Sequence, residues 1–91
     1  MTQKFSPRKD IAYRKIQGEM VLVDPAQNLL LRLNETATFI WERLESIPVD
    51  QIVQEIADTF DTEVQTAAAD TKTFIELLSR KSILVVRETQ L

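Results

Sequence analysis

Neither cysteine nor histidine occurs anywhere in the 91 residues. The first absence excludes disulfides, a thiol nucleophile and thiolate metal sites. The second removes the commonest general base and the commonest transition-metal ligand. With a single glycine, Gly18, the chain cannot build a glycine-rich phosphate loop. No acidic cluster has the spacing of a calcium-binding loop. No apolar run approaches the roughly 20 residues that span a bilayer. The opening residues, MTQKFSPRKD, lack the apolar centre of a signal peptide. Catalysis would have to rest on carboxylates, lysines, Tyr13 or hydroxyls, and the carboxylates fall mainly on polar helical faces. These absences fit a soluble cytoplasmic protein, and they leave no expectation of a metal, a cofactor or catalysis.

What is present fits one domain. At 91 residues the chain is long enough for one core and too short for two. A domain of this size buries roughly 60–65% of its unfolded surface, which leaves little margin for cavities or buried charge. The net charge of −3 is unevenly spread. Residues 1–17 hold Lys4, Arg8, Lys9, Arg14 and Lys15 against Asp10, a net of +4. Residues 35–63 hold eight acids (Glu35, Glu42, Glu45, Asp50, Glu55, Asp58, Asp61, Glu63) against Arg43, a net of −7. The ordinary explanation of the second block is a solvated helical face.

The hydrophobic period is 2 in the first third of the chain and helical thereafter. Residues 1–10 are polar and read as a loose arm within a single 1–91 domain. IAYRKI (11–16) reads as a first strand, EMVLV (19–23) as a second across the Gln17-Gly18 turn, and LLLRL (29–33) as a third. Between the last two, Asp24-Pro25-Ala26-Gln27-Asn28 is a turn. In the third strand Leu29, Leu31 and Leu33 share one face, and Leu30 and Arg32 the other. Asn34 is then a helix N-cap with Glu35 in the first turn. Ala37, Ile40, Trp41 and Leu44 form a helical stripe, with core as the ordinary role of Trp41. Val49, Ile52, Val53, Ile56, Ala57 and Phe60 make a second helix after Pro48. Thr62-x-x-Gln65 has the pattern of a capping box for a third. The inner face of that helix is Val64, Ala67, Ala68, Thr71, Ile75 and Leu78, widened by Phe74 and Leu77. Ile83 to Val86 reads as a last extended segment. The expected fold is α+β: a three-stranded antiparallel sheet followed by three helices (βββααα), with the helices on one face of the sheet.

A third strand running into Leu33-Asn34, Thr36-Ala37, Ile40-Trp41 and Leu44 resembles the PqqD-like family, named after coenzyme PQQ synthesis protein D. VLVDP (21–25), VDQIVQEIADTF (49–60) and DTKTFIELLSRKSIL (70–84) extend the resemblance over roughly residues 6–87. Two turns depart from the family pattern. Glu45-Ser46-Ile47-Pro48 stands where Asp-Gly is common, and Ser82-Ile83-Leu84 where Gly-Leu-Leu is common.

The resemblance implies a small winged-helix-like domain that binds the leader of a ribosomally made precursor peptide. It implies a maturation enzyme as second partner, of radical-SAM type in PQQ synthesis and a protease in lasso-peptide pathways. The leader would add a strand to an exposed sheet edge. That edge is the third strand, with Asn28, Leu29, Leu30, Leu31 and Arg32, and the third helix is the opposite wall. Arg32, Lys72, Arg80 and Lys81 would meet acidic leader residues, and Phe74, Leu77 and Leu78 would supply apolar pockets. For Phe74 and Leu77 the competing role is core. For Arg80 and Lys81 it is a solvated helix end that complements the dipole. Glu55 and Asp58, in the acidic block, are assigned to the enzyme-facing surface. A winged-helix DNA reader is the other class considered. The third helix carries Glu63 and Asp70 and no base before Lys72, and the chain has a pI of about 4.9, so nucleic acid is not expected as a partner. An exposed strand edge can also pair with a second copy, which keeps a homodimer open.

Overall fold

The computed structural model describes residues 4–87 and orders them as β1 (Lys4–Pro7), β2 (Ala12–Ile16), β3 (Glu19–Asp24), β4 (Leu29–Arg32), α1 (Glu35–Arg43), α2 (Val49–Thr59), α3 (Val64–Arg80) and β5 (Leu84–Arg87). β2, β3 and β4 form the expected antiparallel sheet, in that spatial order. Its register pairs Tyr13 with Leu22 and Leu22 with Leu31 on the inner face, and Ala12 with Val23 and Val23 with Leu30 on the outer face.

The arm is a correction. Residues 1–3 lie outside the described residues, but Lys4–Pro7 is a strand, paired antiparallel with β5 in a separate two-stranded ribbon. Phe5 is buried in the core. A four-residue strand with one apolar side chain leaves too little periodicity to be read locally. Its partner is about 80 residues away in sequence, and the pairing exists only once α3 has returned the chain.

Asn34 caps α1 as expected, its side chain accepting from the Ala37 amide at 2.8 Å. The capping box at Thr62 does not form. Glu63 is the N-cap of α3 and its side chain makes no cap hydrogen bond. Thr62 is used by the preceding helix instead: its amide donates to Ala57 O at 3.1 Å, past Asp61 in the left-handed region at φ 51. That six-to-one bond closes the end of α2 and leaves Thr62 outside the next helix. The end of α3 repeats the device. The Ile83 amide donates to Leu78 O at 2.9 Å, with Ser82 at φ 60. A glycine would take that conformation without steric cost.

The core is one cluster. α2 contributes Ile52, Val53 and Ile56, α3 contributes Ala67, Phe74, Ile75 and Leu78, and α1 contributes Ile40 and Trp41. Met20 and Leu22 of β3, with Phe5, Ile11, Leu33, Leu44, Ile83 and Leu84, complete it. β2 lies mostly outside this cover, with every residue exposed, although Tyr13 sets its ring edge-on to Trp41 at 5.3 Å. The helices therefore cover β3 and β4 rather than the whole sheet.

Candidate functional site

β4 ends the three-stranded sheet, and its outer edge carries no further strand among the described residues. Which backbone groups point there follows from the register. The Leu33 amide donates to Met20 O at 2.8 Å, just beyond the last paired residues of β3 and β4. Bonded and non-bonded pairs alternate in an antiparallel ladder. Leu22–Leu31 and Asp24–Leu29 are therefore the bonded pairs, and the amides and carbonyls of Leu30 and Arg32 face the open edge.

One side chain fixes this edge relative to the helices. The buried Thr38 hydroxyl accepts from the Met20 amide at 2.9 Å and donates to Leu33 O at 3.3 Å. It replaces a backbone rung at the end of the ladder and ties α1 to it. The family resemblance did not include Thr38, because a threonine within a helix carries no signal of bonding to a distant strand.

Between the β4 edge and α3 lies a cleft of about 460 Å³. Leu31, Arg32, Phe74, Leu77 and Leu78 of the expected peptide-binding set line it. They fill different roles. Phe74 and Leu78 are 9% and 0% exposed, so they form floor and core together, while Leu77 is 41% exposed and stands as wall. Asn34, Thr36, Asp70 and Thr73 add polar groups that the sequence reading did not assign to the site. Leu30 is 65% exposed on the outer sheet face and offers its backbone, not its side chain, to the edge. Leu29 packs partly buried against the core, and Asn28 holds the turn before β4 at φ 52. Arg32 shares its charge with Glu19 at 3.1 Å. Arg80 ends α3 and Lys81 caps it beside the β3–β4 turn, where Lys81 O accepts from Gln27; neither lines the cleft. Lys72 lies apart from this set: it lines a different groove on the other side of α3. One turn of helix separates it from Glu76, and neither shares the face of Leu77.

A polar knot joins the β3–β4 turn to the end of α3. Asp24 is 1% exposed. It accepts from the Arg8 guanidinium, from Ala26 N at 3.0 Å and from Gln27 Nε2 at 2.5 Å. Gln27 Nε2 also donates to Lys81 O at 2.7 Å, and Arg8 Nη1 to Ser82 O at 2.9 Å. The loop after β1, the β3–β4 turn and the end of α3 are thus joined at one carboxylate. Burial opposes the charge on Asp24, but the hydrogen bonds from Gln27 and Arg8 and the positive charge of Arg8 outweigh it. The carboxyl is held below its ordinary value. Asp10, hydrogen-bonded to Arg8, is likewise lowered, and Arg8 is raised by Asp10 and then Asp24. A lowered carboxyl stabilises the fold above its unfolded pKa, and that stability is lost as pH falls through the folded value. The melting temperature of the native chain should therefore exceed that of Asp24→Asn at neutral pH. The gap should close as pH falls below the ordinary value of 3.8. Thermal melts of both chains from pH 7 to pH 2.5 measure it, and a gap that stays constant refutes the ionic role.

Among the described residues no group of His, Cys, Asp or Glu side chains could hold a metal ion, and no helix is long and apolar enough to cross a membrane. An open strand edge beside the Phe74–Leu78 wall of α3 completes a small α+β domain of one three-stranded antiparallel sheet and three helices. The family model for coenzyme PQQ synthesis protein D (PqqD) matches residues 19–84, and the chain belongs to that family. No curated protein matches the sequence. Two solved structures share the fold. One is a lasso peptide synthetase B1 complexed with the leader peptide, 23% identical, with a TM-score of 0.83 over 90% of this chain and 98% of that one. The other is TbiB1 in complex with the TbiA(beta) leader peptide, 22% identical, with a TM-score of 0.80 over 87% and 93%.

Proposed function

We propose that the chain is a non-catalytic, cytoplasmic peptide-binding domain that holds the leader of a ribosomally made precursor peptide and presents it to a maturation enzyme. The observation that carries this reading is the β4 edge. Leu30 and Arg32 turn unpaired amides and carbonyls toward an apolar cleft, which is what strand addition needs. The fold neighbours bound to leader peptides support the same assignment. Arg32, Arg80 and Lys81 favour a leader with acidic residues beside its apolar anchors. DNA reading is not supported by α3, whose cleft face carries Asp70 and Leu77 in place of cations. The test is titration of isotope-labelled protein with a synthetic leader peptide that carries acidic residues beside apolar anchors. Amide shifts should concentrate in residues 28–33 and 70–81. Shifts confined to residues 49–60 would return the chain to an unassigned adaptor.

The acidic block is assigned to the enzyme side. Glu55 is held by Arg43 at 3.1 Å, whereas Asp58 is exposed. Reversing both to lysine should slow association with the maturation enzyme and change its salt dependence, with leader affinity unchanged. Asp58→Lys alone separates the charge effect from loss of the Arg43 contact. Stopped-flow association at two salt concentrations reads the result, and equal loss of leader binding refutes the assignment.

A further inference from the structure

α3 is flanked by two grooves, and the leader accounts for one. The second, of about 660 Å³, lies on the opposite side of the helix between α2, α3 and the β1–β5 ribbon. Val53, Ile75 and Phe5 make its base and Ala68 its α3 wall. Val86 lines it while remaining 52% exposed. The groove also borders an open strand edge. The Arg8 amide donates to Ile83 O at 2.8 Å, and the Phe5 amide turns away from β5 to Leu44 O at 3.4 Å. Alternation along the ladder then directs the backbone groups of Leu84 and Val86 outward from β5. No strand pairs with that edge among the described residues.

Charge narrows the occupant. Asp50 and Glu76 stand on the rim against Lys72, the one cation in the lining. Asp58 continues the Asp50–Gln54 row of α2 at four-residue spacing. An acidic leader suited to Arg32, Arg80 and Lys81 is ill suited to this rim. A second copy related by a two-fold axis would set acid against acid. We propose that this groove docks a short segment of the maturation enzyme, apolar in its anchor and flanked by lysine or arginine, so that leader and enzyme engage opposite sides of α3. The inference rests on the leader-binding reading above.

Two probes separate the inference from that reading: a fluorescent synthetic leader, and a purified radical-SAM or protease maturation enzyme immobilised on a sensor. Ala68→Trp fills the groove from an exposed helical position. It should raise the enzyme Kd at least about tenfold and leave the leader Kd within about twofold. Glu76→Lys should slow enzyme association and weaken its salt dependence, and it decides the matter if the Trp variant does not fold. The inference is overturned if the enzyme ignores both substitutions or fails to bind the native chain. It is also overturned if Ala68→Trp displaces the leader, or if sedimentation shows a native dimer that Ala68→Trp dissociates. Loss of leader binding by the native chain sinks the functional reading itself.

Discussion

Leu30→Pro should abolish most leader binding, by about 30- to 100-fold, in a chain that still folds. The alternation of the β3–β4 ladder turns the Leu30 amide outward, so proline removes a donor meant for the incoming strand and none from the sheet. Its ring also obstructs the approach of a partner backbone. One lost hydrogen bond is worth about 0.5–1.5 kcal/mol, and the obstruction adds to it. Leu30→Ala should change affinity less than about threefold, because the side chain points to the outer face, 65% exposed. Leu31→Pro is the contrast: it removes a bond within the ladder and should unfold the sheet. Fluorescence titration with labelled leader and circular dichroism on the three variants check the set. Equal affinity of Leu30→Pro and native chain would mean that the leader does not pair with β4.

Phe74 and Leu77, both expected either as pocket or as core, should separate cleanly on truncation. Phe74 is nearly buried and touches the main cluster, so Phe74→Ala should cost about 3–5 kcal/mol of stability. That is a large part of the 5–15 kcal/mol typical of a domain. Leu77 is 41% exposed on the cleft wall. Leu77→Ala should cost less than about 1 kcal/mol of stability while lowering leader affinity about tenfold, since only the complex buries the rest of its side chain. Urea denaturation and leader titration on both variants give the two axes. A Leu77→Ala chain with native affinity would remove α3 from the leader site. A fully stable Phe74→Ala chain would contradict the packing.

The candidate site was partly legible because its pieces are local. The alternation of Leu29, Leu31 and Leu33 against Leu30 and Arg32 placed the strand faces correctly, and a helical stripe marked α3. The place of Lys72 was not legible, because periodicity alone does not say which side of a helix meets a strand three elements earlier. Ile75 is buried at the base of the second groove, and the side of α3 it shares with Lys72 faces α2 and the β1–β5 ribbon. Thr38 and the Arg8–Asp24–Gln27 knot were invisible for the same reason. Each joins residues far apart in sequence, and a polar side chain shows no periodic signal for such a bond.

The sequence by itself determined the α+β class, the order of three strands and three helices, the Asn34 cap and the family resemblance. The elements and the cap rest on neighbours within about four residues, where period, turn chemistry and capping act, and the resemblance rests on the order of those local motifs along the chain. Tertiary structure alone decided that Lys4–Pro7 is a strand, that Thr62 closes α2 instead of opening α3, and which amides of β4 face outward. Those outcomes depend on the register of one strand against another and on the return of the chain after α3. Backbone hydrogen bonds must be satisfied wherever the fold buries them, and local sequence does not say where that will be.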